Sequence, residues 1–236
     1  DVRLPWLKRF IKNKYGMLAS NWFFQGTLMK TWNERYFLFL LDFIFAFPLF
    51  IVLSFLLSQV IAAISSIILA HTVNWTFNGN VWAILKNTGR KYNLMKNVEF
   101  MDNLEKKAIG ASGSIAAVVA FGSLSRGEFS ETSDMDIRII RKPGILNNFK
   151  ANIFALYLRS LAFIKKIPLD LYILDEVKQI ERHINTDEPP ILICDSDNIL
   201  IERDKRVISF KEVKQKWRIV ETKAVVGKTR PVRTTS

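Results

Sequence analysis

The sequence predicts an α/β domain that follows an α-helical hairpin of membrane type, either transmembrane or re-entrant. Two observations carry this. The stretch Phe43 to Ala70, FIFAFPLFIVLSFLLSQVIAAISSIILA, contains no charged residue, and apolar runs above about 18 residues are long enough to cross a bilayer. Later, between Ile115 and Leu174, the pattern changes to an apolar strand, a Gly-Ser break, an Asp-x-Asp strand, a helix, and a third apolar strand holding one Asp.

Composition separates these two parts from their flanks. The chain has 236 residues, 49% hydrophobic with 18 Phe and 6 Trp, which is high for a soluble protein. Its formal charge of +12 is not evenly spread: Asp1–Arg35 carries seven basic and two acidic residues, Asp204–Ser236 ten and three, and the rest is balanced. Basic tails suit anionic lipid headgroups or nucleic acid. The single Cys194 excludes an internal disulfide and no Cys/His cluster offers zinc ligands, which fits a reducing compartment. Within ILIC, Cys194 reads as a small core residue.

Residues 1–35 interleave Lys8, Arg9, Lys12 and Lys14 with Leu7, Phe10 and Ile11 at helical spacing. This predicts a basic amphipathic segment on a membrane surface, the alternative being a helix packed on the domain. The apolar stretch begins too late for a signal peptide.

Residues 36–80 form the hairpin. As one helix, Tyr36–Phe77 would be roughly 63 Å long, twice the hydrocarbon thickness, so two spans of about 20 residues with a turn near Ser58-Gln59 fit better. Pro48 is expected to kink the first span. Trp32, Trp75 and Trp82 suit an interfacial aromatic belt. Seven Lys/Arg precede the stretch and Lys86, Arg90, Lys91 and Lys96 follow it, which places both flanks on the cytoplasmic side of the cell (inner) membrane. Asp42 and His71, near the ends of the apolar run, are expected to snorkel or pair. His71 to Asn80 meets a lipid headgroup or caps the second span.

Residues 81–203 form the α/β domain. Asn87–Lys107 reads as connector and helix, ended by Gly110 and Gly113, and Ile115–Phe121 as a buried strand. Gly122 lets the backbone approach a ligand, and the N–H groups and hydroxyls of Ser123 and Ser125 suit phosphate oxygens. Arg126 reaches the same phosphates or is a surface charge paired with Glu128 or Glu131. Alternation in a strand turns Asp134 and Asp136 to one side, Met135 and Ile137 to the other. Two adjacent carboxylates stay ionised together when a cation lies between them, and Mg²⁺ with its oxygen ligands fits. A phosphate cradle beside such a pair is the equipment of phosphoryl or nucleotidyl transfer. Lys142-Pro143-Gly144 makes a turn, Asn148–Lys166 a crossover helix, and Asp170 lies in the third strand between Leu169 and Leu171. ILICDSDNILIERD reads as strand, turn and strand, with Asp195 and Asp197 as turn formers. Residues 204–236 predict a basic helix over Lys205–Arg218 and a flexible tail.

Gly122-Ser123, ten intervening residues and Asp134-Met135-Asp136 together resemble the signature of the DNA polymerase β-like nucleotidyltransferase superfamily, nearest its minimal bacterial and archaeal members. The resemblance spans roughly Asn93 to Arg203. It implies an α+β core with a mixed sheet and a third carboxylate on a later strand, which is Asp170 here. It further implies Asp134, Asp136 and Asp170 as catalytic residues holding two Mg²⁺ ions (Mn²⁺ as a substitute), with Asp170 also the base for the acceptor. Gly122, Ser123, Ser125 and Arg126 would bind a nucleoside triphosphate such as ATP. With the hairpin, the expectation is a membrane-anchored transferase moving a nucleoside monophosphate onto a hydroxyl or phosphate, its acceptor a lipid-linked or surface-polysaccharide precursor. The alternatives are an antitoxin that modifies a partner protein and a membrane module that binds nucleotide without reacting. Nucleic acid is not an expected partner, since no separate domain grips a template.

Overall fold

A computed structural model describes residues 13–25, 27, 30–79, 81–85, 91–182, 188–200 and 206–215. The predicted amphipathic stretch at residues 1–12, Lys86, Arg90, Trp217 and the C-terminal tail lie outside the described residues.

A short helix α1 (Lys14–Phe24) precedes the hairpin helices α2 (Trp32–Ser54) and α3 (Gln59–Asn78). The Thr31 hydroxyl starts α2 by accepting the Glu34 N–H at 3.4 Å. The helix then runs through Pro48 for 23 residues, roughly 35 Å. The chain reverses over residues 55–58, next to the predicted turn. From α3, Ala62, Ser66, Ala70, Asn74 and Asn78 are buried. Their spacing of four puts them on one face, where small side chains let α2 approach with Phe37, Leu38 and Leu41. Most of the remaining apolar surface is open, including Phe43, Phe47, Ile64 and Ile67. Both helices are long and apolar enough to cross a membrane, and only 17% and 22% of their apolar windows are buried. They are candidate membrane spans.

Polar residues inside the hairpin satisfy one another. His71 Nδ1 lies 3.0 Å from Asp42 Oδ2, and Asn74 donates to Asp42 Oδ1 at 2.7 Å. Trp75 Nε1 donates to Asn21 Oδ1 at 2.7 Å and Trp82 Nε1 to the Phe163 carbonyl at 2.9 Å. Of the three tryptophans expected at an interface, these two are tied into the protein, and Trp32 is exposed.

After α4 (Val81–Leu85) and α5 (Leu94–Gly110) comes the sheet: β1 (Ile115–Phe121), β2 (Met135–Arg141), β3 (Leu169–Leu174), β4 (Ile191–Asp195) and β5 (Ile208–Ser209), with α6 (Ile145–Lys165) crossing from β2 to β3. The order is β3-β2-β1-β4-β5. β1 is antiparallel to β2 and β4, while β2–β3 and β4–β5 are parallel, so the sheet is mixed. The fold is thus an α+β core of the kind expected, behind a helical hairpin. Met135, Ile137, Ile139, Leu169, Leu171 and Ile173 face a core shared with Phe100, Leu104 and Leu158 of the helices. Alternation therefore turns Asp136, Arg138, Asp170 and Tyr172 to the opposite face. Asp195 ends β4 by accepting the N–H groups of Ile199 and Leu200, the turn-forming role expected of it. Residues 199–200 continue that turn where a strand was expected to begin, and the short β5 was not foreseen.

The hairpin stands on the free edge of β3. Glu34 Oε2 accepts the outward N–H of Ile173 at 3.3 Å, and Arg159 Nη2 donates to the Leu171 carbonyl at 2.6 Å while pairing with Glu34 Oε1. Lys30 and Asn78 complete this buried cluster, Lys30 donating to the Asn78 carbonyl at 3.1 Å. An edge strand needs its unpaired backbone groups covered. Here the feet of the hairpin and α6 cover them.

Candidate active site

The site lies where β1 ends beside the start of β2. At the end of β1 the chain enters a single 3-10 turn, Gly122–Leu124. Gly122 has φ +73°, and a Cβ there would lie 2.2 Å from Asp136 Oδ2. Glycine is thus required twice, by the left-handed backbone and by the carboxylate resting against it. Phe121 pairs with Asp136 across the β1–β2 ladder, and Asp136 with Asp170 across β2–β3, so the three strands bring the Gly-Ser turn and two of the acids side by side.

An open cavity of about 370 Å³ is lined by Gly122, Ser123, Arg126, Asp134, Asp136 and Glu188, among others. Asp134 sits on the loop just ahead of β2 rather than in the strand, yet reaches the same cavity as Asp136. The Gly122 N–H donates to Glu188 Oε2 at 3.1 Å. Arg126 pairs with both Glu188 and Glu128, the Glu128 bond being 2.9 Å. Hydrogen bonding to Glu128 heads the causes that raise the Arg126 pKa. The Ser125 hydroxyl donates to the Gly122 carbonyl at 2.9 Å and so closes the turn. Ser123 Oγ is buried and has no hydrogen-bond partner among the described residues, an unsatisfied group in the lining of the cavity.

Arg138 was not foreseen. It is buried on the same face as Asp136, with Nη2 3.5 Å from Asp170 Oδ2 and 3.9 Å from Asp136 Oδ1. Nη1 donates to the Asp170 carbonyl at 3.0 Å, and the guanidinium lies 4.8 Å over the Tyr172 ring. Burial, then the charge of Asp170, pushes the Tyr172 phenol well above its ordinary range, so it stays a neutral O–H.

Residues 101–194 match the family model described as nucleotidyltransferase domain. This stretch is similar to a nucleotidyltransferase domain. No curated protein and no solved structure matches the chain. The matched stretch runs from α5 into β4 and contains the Gly-Ser turn, the three predicted aspartates, Arg138 and Glu188.

For a metal in this cavity, the chemistry of the donors is the test. Asp134 and Asp136 offer hard carboxylate oxygens to one cavity, which fits a divalent ion such as Mg²⁺ or Mn²⁺. Among the described residues, no three of His, Cys, Asp and Glu gather closely enough to hold an ion as a cluster. Arg138 stands next to Asp170 instead and supplies positive charge there.

Proposed function

We propose that this protein is a membrane-anchored nucleotidyltransferase that moves a nucleoside monophosphate from its triphosphate to a hydroxyl or phosphate acceptor. The observation that carries this reading is the contact of Gly122 with Asp136, which joins a phosphate-binding turn and a carboxylate pair in one cavity. The Gly122 N–H, the orphaned Ser123 hydroxyl and Arg126 take the phosphate oxygens, with Ser125 holding the turn in shape. Asp134 and Asp136, which line the cavity, are the residues that would hold Mg²⁺, which supplies charge neutralisation on the phosphates. The acceptor oxygen attacks the α-phosphorus, the bond to the β-phosphate oxygen breaks, and pyrophosphate leaves. Asp170, its carboxylate oriented by Arg138, takes the acceptor's proton.

The exposed hairpin supports an acceptor in or at the bilayer, with the domain cytoplasmic where triphosphates are found. A lipid-linked or surface-polysaccharide precursor fits. The test is to incubate the detergent-solubilised chain with Mg²⁺, membrane lipids and triphosphate labelled at the α-phosphorus. Label entering the organic phase, and lost in Asp134→Ala, agrees with the reading; label confined to protein or soluble sugar removes the lipid acceptor. Arg138 between Asp136 and Asp170 favours one other reading, a domain that binds nucleotide without transferring it. That reading predicts bound triphosphate and no label transfer.

A further inference from the structure

Glu188 reaches the Gly-Ser turn from 66 residues away in sequence, from the approach to β4. Pro189 and Pro190 follow it and fix the backbone that presents it. Its side chain is 11% exposed, whereas Arg126 is 42% exposed. One carboxylate oxygen takes the Gly122 N–H and the other takes the Arg126 guanidinium. A backbone N–H on a glycine turn and a guanidinium are the two donors that phosphate oxygens use. Ser123 Oγ, the third donor of the turn, is buried beside them and has no partner among the described residues. A single carboxylate serves two of the three donors. A phosphate chain, with more oxygens and more charge, serves all three.

We propose that Glu188 is a tethered stand-in for the phosphate chain, held on the triphosphate subsite until a nucleotide displaces it. The proposal rests on the nucleotidyltransferase reading of the cavity. While Glu188 is in place, Gly122 and Arg126 are satisfied and the turn keeps its shape without ligand. An incoming chain of phosphates must first exchange with it, so the measured affinity is the intrinsic affinity reduced by the fraction of molecules in which the turn is open. The negative charge of Glu188 in the cavity of Asp134 and Asp136 also favours release once a phosphate chain arrives, by like-charge repulsion.

The experiment is titration calorimetry on the full chain in detergent with Mg²⁺, using a nucleoside triphosphate, inorganic tripolyphosphate and the free nucleoside as probes. Glu188→Gln keeps the shape and removes the charge; Glu188→Ala removes the group. Thermal melting of both variants shows that they are folded. The expected result is tightening of about tenfold or more, equal for triphosphate and tripolyphosphate, with the nucleoside unchanged. Wild-type binding with neither variant tighter overturns the proposal and leaves the nucleotide reading standing. Tightening of the triphosphate but not of tripolyphosphate also overturns it, since the competition would not be for the phosphates. No triphosphate binding by wild type or variants removes the nucleotide reading, and this proposal with it.

Discussion

At Gly122 the left-handed φ and the closeness of the Asp136 carboxylate to where a Cβ would lie act together, so a methyl group there must move either the turn or the carboxylate. Gly122→Ala is expected to lower stability by about 1–3 kcal/mol, read as a lower melting temperature, and to abolish triphosphate binding in calorimetry. Lys30 makes a different prediction. Burial, and next the charge of Arg159, pushes its ammonium down from 10.5 to about 7. Between roughly pH 7 and 10.5 the folded chain therefore holds fewer protons than the unfolded chain, so this group's share of stability rises with pH across that window, and the full cost of the buried charge is present below it. Lys30→Met leaves Glu34 paired with Arg159. It is expected to stabilise the protein by about 2 kcal/mol at pH 6, with the gain fading toward pH 10 in melts across that range. Residues of the site differ in how they could be read beforehand. Asp136 stands out as a polar group in an apolar strand, Asp134 lies on the loop ahead of that strand and not in it, and the role of Asp170 comes from the family resemblance. Arg138 carried the same signal, a charge two positions beyond Asp136, but its role depends on β3 lying alongside. Glu188 had no local signal at all, since only the tertiary fold brings it to Gly122.

The hairpin leaves much of its apolar surface exposed. Phe43, Phe47, Ile51, Ile64 and Ile67 face outward, although the same helices bury a stripe of small and polar residues between them. A lysine at the middle of a membrane helix costs about 3 kcal/mol on insertion. Phe47→Lys combined with Ile64→Lys is expected to move the protein from the carbonate-resistant membrane pellet to the soluble or aggregated fraction. Retention in the pellet would show that these faces do not meet lipid. The two helices and their turn were legible because an uncharged run of that length has few other fates. The foot of the hairpin was not: Lys30 and Glu34 look like ordinary flanking charges until Arg159 and the edge of β3 are placed beside them. The short β5 escaped notice because two residues show no alternation.

Across the whole molecule, the buried cluster of Lys30, Glu34, Asn78 and Arg159 ties the membrane-type helices to β3, whose second residue is Asp170. The hairpin is therefore more than a tether, because its foot completes the edge of the sheet that carries the site. Polar groups run on from that cluster through Asn78, Asn74 and Asp42 to His71 within the hairpin. The antiparallel β1–β2 ladder places the Gly-Ser turn, Asp134 and Asp136 around one cavity. The central claim is that this cavity transfers nucleotides. It is tested most directly by pyrophosphate release from the detergent-solubilised chain with Mg²⁺, lipid extract and each of the four triphosphates, beside the double variant Asp134→Ala/Asp136→Ala. The account predicts release by the wild type with at least one triphosphate and none by the variant. Bound triphosphate without release by the wild type, or release that persists in the variant, would contradict it.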